Sequence, residues 1–287
     1  MNKVSEVMKY GSLETMLEAQ TTRPYSKEVI NHIKEIIRLN YKPVPKILSS
    51  DVFDTLLIRS EKSEVRRFYE ISTLVAEYLS NQNGKQFSTS DIFVLRNLSN
   101  KLSYSLTTKV KGIREGSIEE INRSILNYLG FNSTYAEKLT QIEIEYEKTE
   151  IELNKPFWNF LKEMVADGSK VVLVSDMYIH RKEIINIIKD KVDDFEEVVH
   201  DLISSADTKI NKASGHIFQY LKKKYSVKGE EVIHFGDAFL GDYQKPNLCG
   251  IRGVYLPQPT YYVEKLKLDE KQVLSKLAEN DILVNSI

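Results

Sequence analysis

The stretch of sequence that decides the fold is Lys46-Ile47-Leu48-Ser49-Ser50-Asp51-Val52-Phe53-Asp54-Thr55-Leu56-Leu57. Its first five residues predict a short strand, which delivers two carboxylates, Asp51 and Asp54, three residues apart. A buried parallel strand that ends in acids presents them at the carboxyl edge of its sheet, where open α/β folds bind ligands. A carboxylate at that edge can act as a nucleophile toward phosphorus or carbon when the negative charge of the substrate is masked.

The composition is that of an ordinary globular protein. The chain has 287 residues, of which 41% are hydrophobic and 28% are charged, and 40 basic side chains face 41 acidic ones. This balance predicts neither a nucleic-acid nor a membrane surface. Cys249 is the single cysteine, which excludes an intramolecular disulfide and a cysteine metal cluster. The start of the sequence lacks the apolar core of a signal peptide, and no apolar run is long enough to span a bilayer, so we expect a cytoplasmic protein.

Two predominantly helical parts flank the decisive stretch. Residues 1–45 predict a helical segment outside the main domain, with a helix that begins after Ser26. Residues 60–155 predict four amphipathic helices without a strand, which we interpret as a separate helical cap. The fourth of these helices is predicted over about 134–153. Its glutamates predict a solvated helix face: Glu143, Glu145, Glu147, Glu150 and Glu152.

An α/β core is predicted from residues 46–59 together with 156–287. Apolar strands alternate with helices, which implies parallel pairing and right-handed crossovers. The expected fold is therefore a doubly wound parallel sheet, a Rossmann-like core, with an inserted all-helical cap. Beyond the first strand, the predicted strands of the core cover residues 171–174, 197–204, 231–235 and 251–256.

Polar residues occur along this core where a parallel sheet would bring them together. They are Asp51, Asp54 and Thr55 after the first strand, Ser175 and Asp176 after the second, Lys212 at the start of a helix predicted over about 212–224, and Asp237 and Asp242 after Gly236. The set predicts phosphoryl transfer through an aspartyl-phosphate, in which Asp51 attacks while Ser175 and Lys212 hold the nonbridging oxygens. Thr55 and Asp176 belong to the same predicted phosphate site.

A divalent cation is predicted between the acids at two of these strand ends. Asp51, Asp237 and Asp242 offer clustered carboxylates, and the sequence has no cysteine ligands beside them. Carboxylate oxygens favour a hard ion, and we expect Mg²⁺. The ion would neutralise charge so that a carboxylate can approach a phosphate.

The order of these motifs resembles that of the haloacid dehalogenase superfamily. The matching positions are Asp51-Val52-Phe53-Asp54-Thr55, Ser175, Lys212, and Gly236-Asp237 through Asp242, and the resemblance covers about residues 46–256. It implies a Mg²⁺-dependent hydrolase of small phosphorylated compounds, sugar-linked ones included, with a cap that closes over the site. The stretches Ser-Asp-Met-Tyr at 175–178 and Asn-Lys-Ala-Ser-Gly at 211–215 are similar to a bacterial subgroup found with glycosyltransferases, which implies such a partner.

One position departs from the phosphatases of that superfamily. They place a second aspartate, the general acid and then base, two residues after the nucleophile, where this chain has Phe53. Loss of such a group costs about 10²–10⁴ in rate. The backbone carbonyl of Phe53 can still serve as a metal ligand. Asp54 is open to several roles: a displaced acid, a partner of Thr55 or of a metal-bound water, or a cap of its own turn.

Three alternatives remain open at the level of sequence. A dehalogenase would use Asp51 against an alkyl halide without a metal. A phosphonatase would need a cap lysine as an amine catalyst, and no lysine of the predicted cap stands out. The third alternative is a protein that keeps the site but is non-catalytic or weakly active, and that binds or scaffolds a glycosyltransferase.

Overall fold

A computed structural model describes residues 12–42 and 44–279. The outer parts of the predicted N-terminal segment and of the C-terminal tail, residues 1–11 and 280–287, lie outside the described residues, as does position 43. Within the described ranges, no helix is both long enough and apolar enough to cross a membrane.

The first half of the chain is mostly helical. Its elements are α1 (Leu13–Glu18), α2 (Lys27–Asn40), β1 (Ile47–Asp51), β2 (Leu57–Arg59), α3 (Glu64–Asn83), α4 (Thr89–Leu106), α5 (Ile118–Leu129), α6 (Ala136–Thr149) and β3 (Ile151–Leu153). The second half alternates strands and helices. It comprises α7 (Lys155–Ala166), β4 (Lys170–Ser175), α8 (Arg181–Lys189), α9 (Phe195–Val198), β5 (Val199–Ser204), α10 (Ser205–Thr208), α11 (His216–Tyr225), β6 (Val232–Gly236), a π-helical turn (Phe239–Gln244), α12 (Lys245–Leu248), β7 (Arg252–Tyr255) and α13 (Thr260–Glu279).

A parallel sheet forms the core of the described chain. Its five strands lie in the order β5-β4-β1-β6-β7, and every neighbouring pair is parallel. The doubly wound α/β fold predicted from the sequence is confirmed. Strand β1 occupies the centre, and the chain continues to β4 on one side of it and to β6 on the other. The carboxyl end of β1 is therefore a topological switch point, where such sheets bind ligands.

A separate pair of short strands marks the base of the helical insertion. Strands β2 and β3 pair antiparallel, with Leu57 opposite Leu153, where the chain leaves the core and returns to it. The predicted fourth helix over 134–153 was therefore too long, and the prediction that the insertion contains no strand was wrong. A strand of three residues is too short to show alternation, and its partner lies at the far end of the insertion. That the helices α3 to α6 form a cap that moves over the site stays a prediction.

Two glutamates of α6 are buried, so the prediction that all five lie on a solvated face was wrong. Glu147 is fully buried and accepts a hydrogen bond from Arg67 at 2.6 Å, and Glu143 is 2% exposed and accepts one from Arg96 at 2.5 Å. The hydroxyl of Tyr178 also donates to Glu143, at 2.7 Å. These glutamates are four residues apart on one helix face, and arginines on α3 and α4 neutralise them inside the bundle.

The first prediction concerns the stability that depends on Glu147. Replacement of Glu147 by Gln keeps the shape of the side chain but leaves Arg67 without its counter-charge in a buried site. Breaking a buried pair from one side costs about 3–5 kcal/mol. Denaturant unfolding should therefore show a loss of this order for Glu147→Gln. Glu145→Gln is the matched control, because Glu145 is 57% exposed and pairs with Lys148 at the surface; its loss should stay below about 1 kcal/mol. Equal losses in the two variants would contradict the buried network.

Candidate active site

A buried lysine joins two carboxylates at the carboxyl end of β1. The ammonium of Lys212 lies 2.5 Å from Asp51 Oδ1 and 2.6 Å from Asp242 Oδ1. Asp176 holds the backbone of the same lysine, because the Lys212 N–H lies 2.9 and 2.8 Å from its two carboxylate oxygens. The fold thus brings Asp51, Asp176, Lys212 and Asp242 together from four separate segments.

Lys212 lies on a loop, so its predicted position at the start of a helix was wrong. Helix α11 begins only at His216, after Gly215 with φ +79°. Asn211 accepts a hydrogen bond from the Ser214 N–H at 2.9 Å and stabilises the preceding turn. This loop directs the side chain of Lys212 to the edge of the sheet.

Three carboxylates converge beside this lysine. Asp51, Asp237 and Asp242 each offer an oxygen, and these oxygens all lie within 4.8 Å of one another. Burial, helped by the charges of Asp242 and Asp237 and opposed by that of Lys212, raises the pKa of Asp51 well above its ordinary value. Burial and the charges of Asp54 and Asp242 raise the pKa of Asp237 to about 7. A hard cation with oxygen ligands would relieve this repulsion, so the cluster fits a divalent ion.

Asp242 is the most firmly held of the three acids. Besides Lys212, it accepts hydrogen bonds from His234 Nε2 and from the Ala238 N–H, both at 2.9 Å. Although burial alone would raise the pKa of Asp242, Lys212 and His234 hold it below its ordinary value. Burial lowers the pKa of His234, so the ring is neutral, with Nε2–H directed at Asp242 and Nδ1 accepting from Ser49 Oγ at 2.9 Å. Asp242 therefore remains ionised beside the lysine.

Asp54 binds two guanidinium groups. Arg23 donates to its Oδ1 at 2.9 Å and Arg59 to its Oδ2 at 2.8 Å. Although burial would raise the pKa of Asp54, Arg59 and Arg23 hold it below its ordinary value. A carboxylate kept ionised in this way has no proton to give at neutral pH, which argues against the role of displaced acid. Its φ of +63° fits an Asx residue in a tight turn.

The remaining predicted site residues lie in the same region. The ring of Phe53 is buried beneath the guanidinium of Arg59, 4.4 Å from its centroid. Thr55 is fully buried, and its hydroxyl has no hydrogen-bond partner among the described residues. Ser175, at the end of β4, is buried and accepts from the Met177 N–H at 3.3 Å. Burial raises the pKa of Asp176 to about 6.

Several residues of the site carry no signal in the sequence. Gln258 donates to the backbone carbonyl of Asp54 at 2.7 Å and to Asp237 Oδ2 at 2.9 Å, although it belongs to the loop after the last strand. The loop between α1 and α2 reaches the same edge, although its segment was predicted to lie outside the main domain. Sequence reasoning assigned no site role to these residues: Arg23, Tyr25, Arg59, His234 and Gln258.

No protein-family model matches the sequence, and no curated protein matches it. Among solved structures, the chain is similar to a 2-haloacid dehalogenase from Pseudomonas syringae pv. Tomato DC3000, at 12% identity and a TM-score of 0.49, over 74% of this chain and 86% of that one. It is also similar to a haloacid dehalogenase-like hydrolase from Xanthomonas campestris, at 12% identity and a TM-score of 0.45, over 81% and 94% of the two chains. A third is a HAD family enzyme from Bacteroides thetaiotaomicron in complex with magnesium and inorganic phosphate, at 12% identity and a TM-score of 0.47, over 74% and 93%. Similarity at this level assigns neither a reaction nor residue roles to this chain.

The second prediction follows from the raised pKa of Asp237. Its folded-state pKa of about 7 lies above the ordinary value of 3.8, so the folded state loses stability as the pH rises through this window. Asp237→Asn removes the carboxylate charge, so the variant does not lose stability as the pH rises through this window. In metal-free protein, the variant should match the wild type near pH 4 and exceed its free energy of unfolding by at least about 1.4 kcal/mol at pH 8, the equivalent of one pKa unit. A pH-independent difference in denaturant unfolding would contradict this account.

Proposed function

We propose that this chain is a hydrolase of the haloacid dehalogenase superfamily and acts as a phosphatase on a small phosphorylated compound. The observation that carries the proposal is the buried Lys212 ammonium, 2.5 Å from the Asp51 carboxylate at the carboxyl end of the central strand. A nucleophilic carboxylate beside a fixed cation suits an anionic substrate, because the cation attracts the oxygens of the phosphoryl group that the carboxylate attacks.

Each residue has a defined role in the proposed reaction. A carboxylate oxygen of Asp51 forms a bond to phosphorus while the bond from phosphorus to the leaving oxygen breaks. Lys212 and Ser175 hold the nonbridging oxygens, and Thr55 offers a hydroxyl that no described residue uses. Asp176 fixes the backbone of Lys212. Water then hydrolyses the aspartyl-phosphate and restores Asp51.

A cation belongs to this proposal, and the residues present suit Mg²⁺. Asp51 and Asp237 would hold it with the carbonyl of Phe53, and Asp242 stands beside them. When bound, the ion supplies positive charge that lets a carboxylate approach a phosphate. Asp242 already accepts hydrogen bonds from Lys212, His234 and Ala238, so its main role is to hold the lysine.

The third prediction tests the nucleophile. A panel of phosphate esters should be hydrolysed with Mg²⁺ and not with a chelator. Asp51→Asn should lower turnover by more than about 10³. The matched control is Asp167→Asn, an exposed aspartate that precedes β4 at the opposite edge of the sheet, and it should leave turnover unchanged.

The same panel separates the alternatives when a 2-haloacid is added to it. Chloride or bromide release that needs Asp51 but no metal would replace the phosphatase proposal with a dehalogenase. Binding of a glycosyltransferase without turnover of any substrate would replace it with the scaffolding role.

The fourth prediction tests the metal. Because the proton on Asp237 must leave before its carboxylate can coordinate a cation, Mg²⁺ should bind more tightly at pH 8 than at pH 6, with proton release. Titration calorimetry in two buffers of different ionisation enthalpy measures both quantities. Asp237→Asn should abolish binding while Asp167→Asn retains it. Unchanged affinity in Asp237→Asn would show that the ion does not use this cluster.

A further inference from the structure

Tyr25 carries a buried hydroxyl that nothing in the fold explains. The residue lies in the loop between α1 and α2, is 6% exposed, and packs edge-on against Phe157 with ring centroids 5.6 Å apart. Its hydroxyl has no hydrogen-bond partner among the residues that the structure describes. A buried donor without a partner costs free energy, so a bound water or a ligand that supplies an acceptor would stabilise this hydroxyl.

Hydrogen bonds fix Tyr25 to the loop that follows Asp51. The Tyr25 N–H donates to Asn154 Oδ1 at 3.2 Å, and Asn154 Nδ2 donates to the carbonyl of Thr55 at 3.0 Å. Two residues earlier, Arg23 binds Asp54. The segment around Tyr25 is therefore attached at two points to the residues just after the nucleophile.

The Tyr25 hydroxyl interacts electrostatically with the carboxylates of the site. Burial first, and then the charges of Asp237, Asp51 and Asp54, raise the pKa of Tyr25 far above its ordinary value, against the opposing charge of Arg23. The hydroxyl therefore stays protonated at neutral pH. It remains a donor until a stronger base than a phenolate forms next to it.

The proposed reaction lacks a proton donor at the position where one is expected. Phe53 has no proton to give, and Asp54 is held ionised by Arg23 and Arg59. An alkoxide leaving group nevertheless needs a proton as the phosphorus–oxygen bond breaks, whereas a nitrophenolate leaves as a stable anion.

We propose that the Tyr25 hydroxyl donates this proton to the leaving oxygen, an inference that rests on the proposed phosphatase function. As Asp51 bonds to phosphorus, the electron pair of the breaking bond moves to the leaving oxygen, which takes the proton from Tyr25. The resulting tyrosinate removes a proton from the water that attacks the aspartyl-phosphate. Tyr25 and Asp51 are both restored at the end, so the proton balance closes.

The test compares Tyr25→Phe with wild type on two esters. Turnover of an alkyl ester such as glycerol 3-phosphate should fall by about 10²–10⁴, while that of 4-nitrophenyl phosphate should stay within about threefold. The control is Tyr41→Phe, a buried tyrosine of the same segment whose hydroxyl donates to the carbonyl of Val232, and it should leave the ratio of the two rates unchanged. Equal effects of Tyr25→Phe on both esters, or none on the alkyl ester, overturn the proposal.

Binding gives a second readout that does not depend on turnover. Orthovanadate adopts a five-coordinate geometry with an oxygen in the leaving position, so loss of one hydrogen bond in Tyr25→Phe should weaken its binding about tenfold by calorimetry. Thermal unfolding should show that the variant is folded, because the removed hydroxyl has no described partner. Equal vanadate binding overturns the assignment of Tyr25 alone. A wild type inactive toward both esters overturns the phosphatase proposal.

Discussion

The site depends on one interaction, the contact of the buried Lys212 ammonium with Asp51 and Asp242. Burial alone would lower the pKa of this lysine, but the two carboxylates raise it well above its ordinary value, so it carries its charge inside the protein. Removing one partner from such a cluster leaves an uncompensated charge, which makes the cluster a strong constraint on the fold. Asp176 and His234 support this cluster. Asp176 accepts a hydrogen bond from the backbone N–H of Lys212, and His234 donates one to Asp242.

The acids at this edge outnumber the charge that Lys212 can balance. Asp237 shares the cluster with Asp51 and Asp242 and has a pKa of about 7, because burial and its acidic neighbours oppose its ionisation. A protein built for stability alone would not gather three carboxylates, two of them buried, beside one ammonium. Such a conflict between local stability and local composition is typical of a functional site.

The sequence predicted the parts of the molecule that local patterns determine. Strand β4 was placed to within one residue because a buried parallel strand has a continuous apolar signature, and β1 and β6 were placed to within one residue from shorter apolar stretches. The rest depends on partners far apart in the chain. Glu147 was assigned to a solvated face because the sequence around it gives no sign of its buried partner, Arg67. Neither Arg23 nor Gln258 differs locally from a surface residue, although both contact the acids of the site. The sequence also did not show that Lys212 lies on a loop before the helix that begins at His216.

The departure at Phe53 makes physical sense when its neighbours are considered. The Phe53 ring supports the guanidinium of Arg59 at 4.4 Å, and Arg59 and Arg23 together hold Asp54 in its ionised form. An acid at position 53 would add a further negative charge to an edge of the sheet that already holds the cluster of Asp51, Asp237 and Asp242. Arg59 also lies 3.6 Å from Glu147 in the helical insertion. The same guanidinium thus joins the turn after Asp51 to a buried glutamate of the helical insertion.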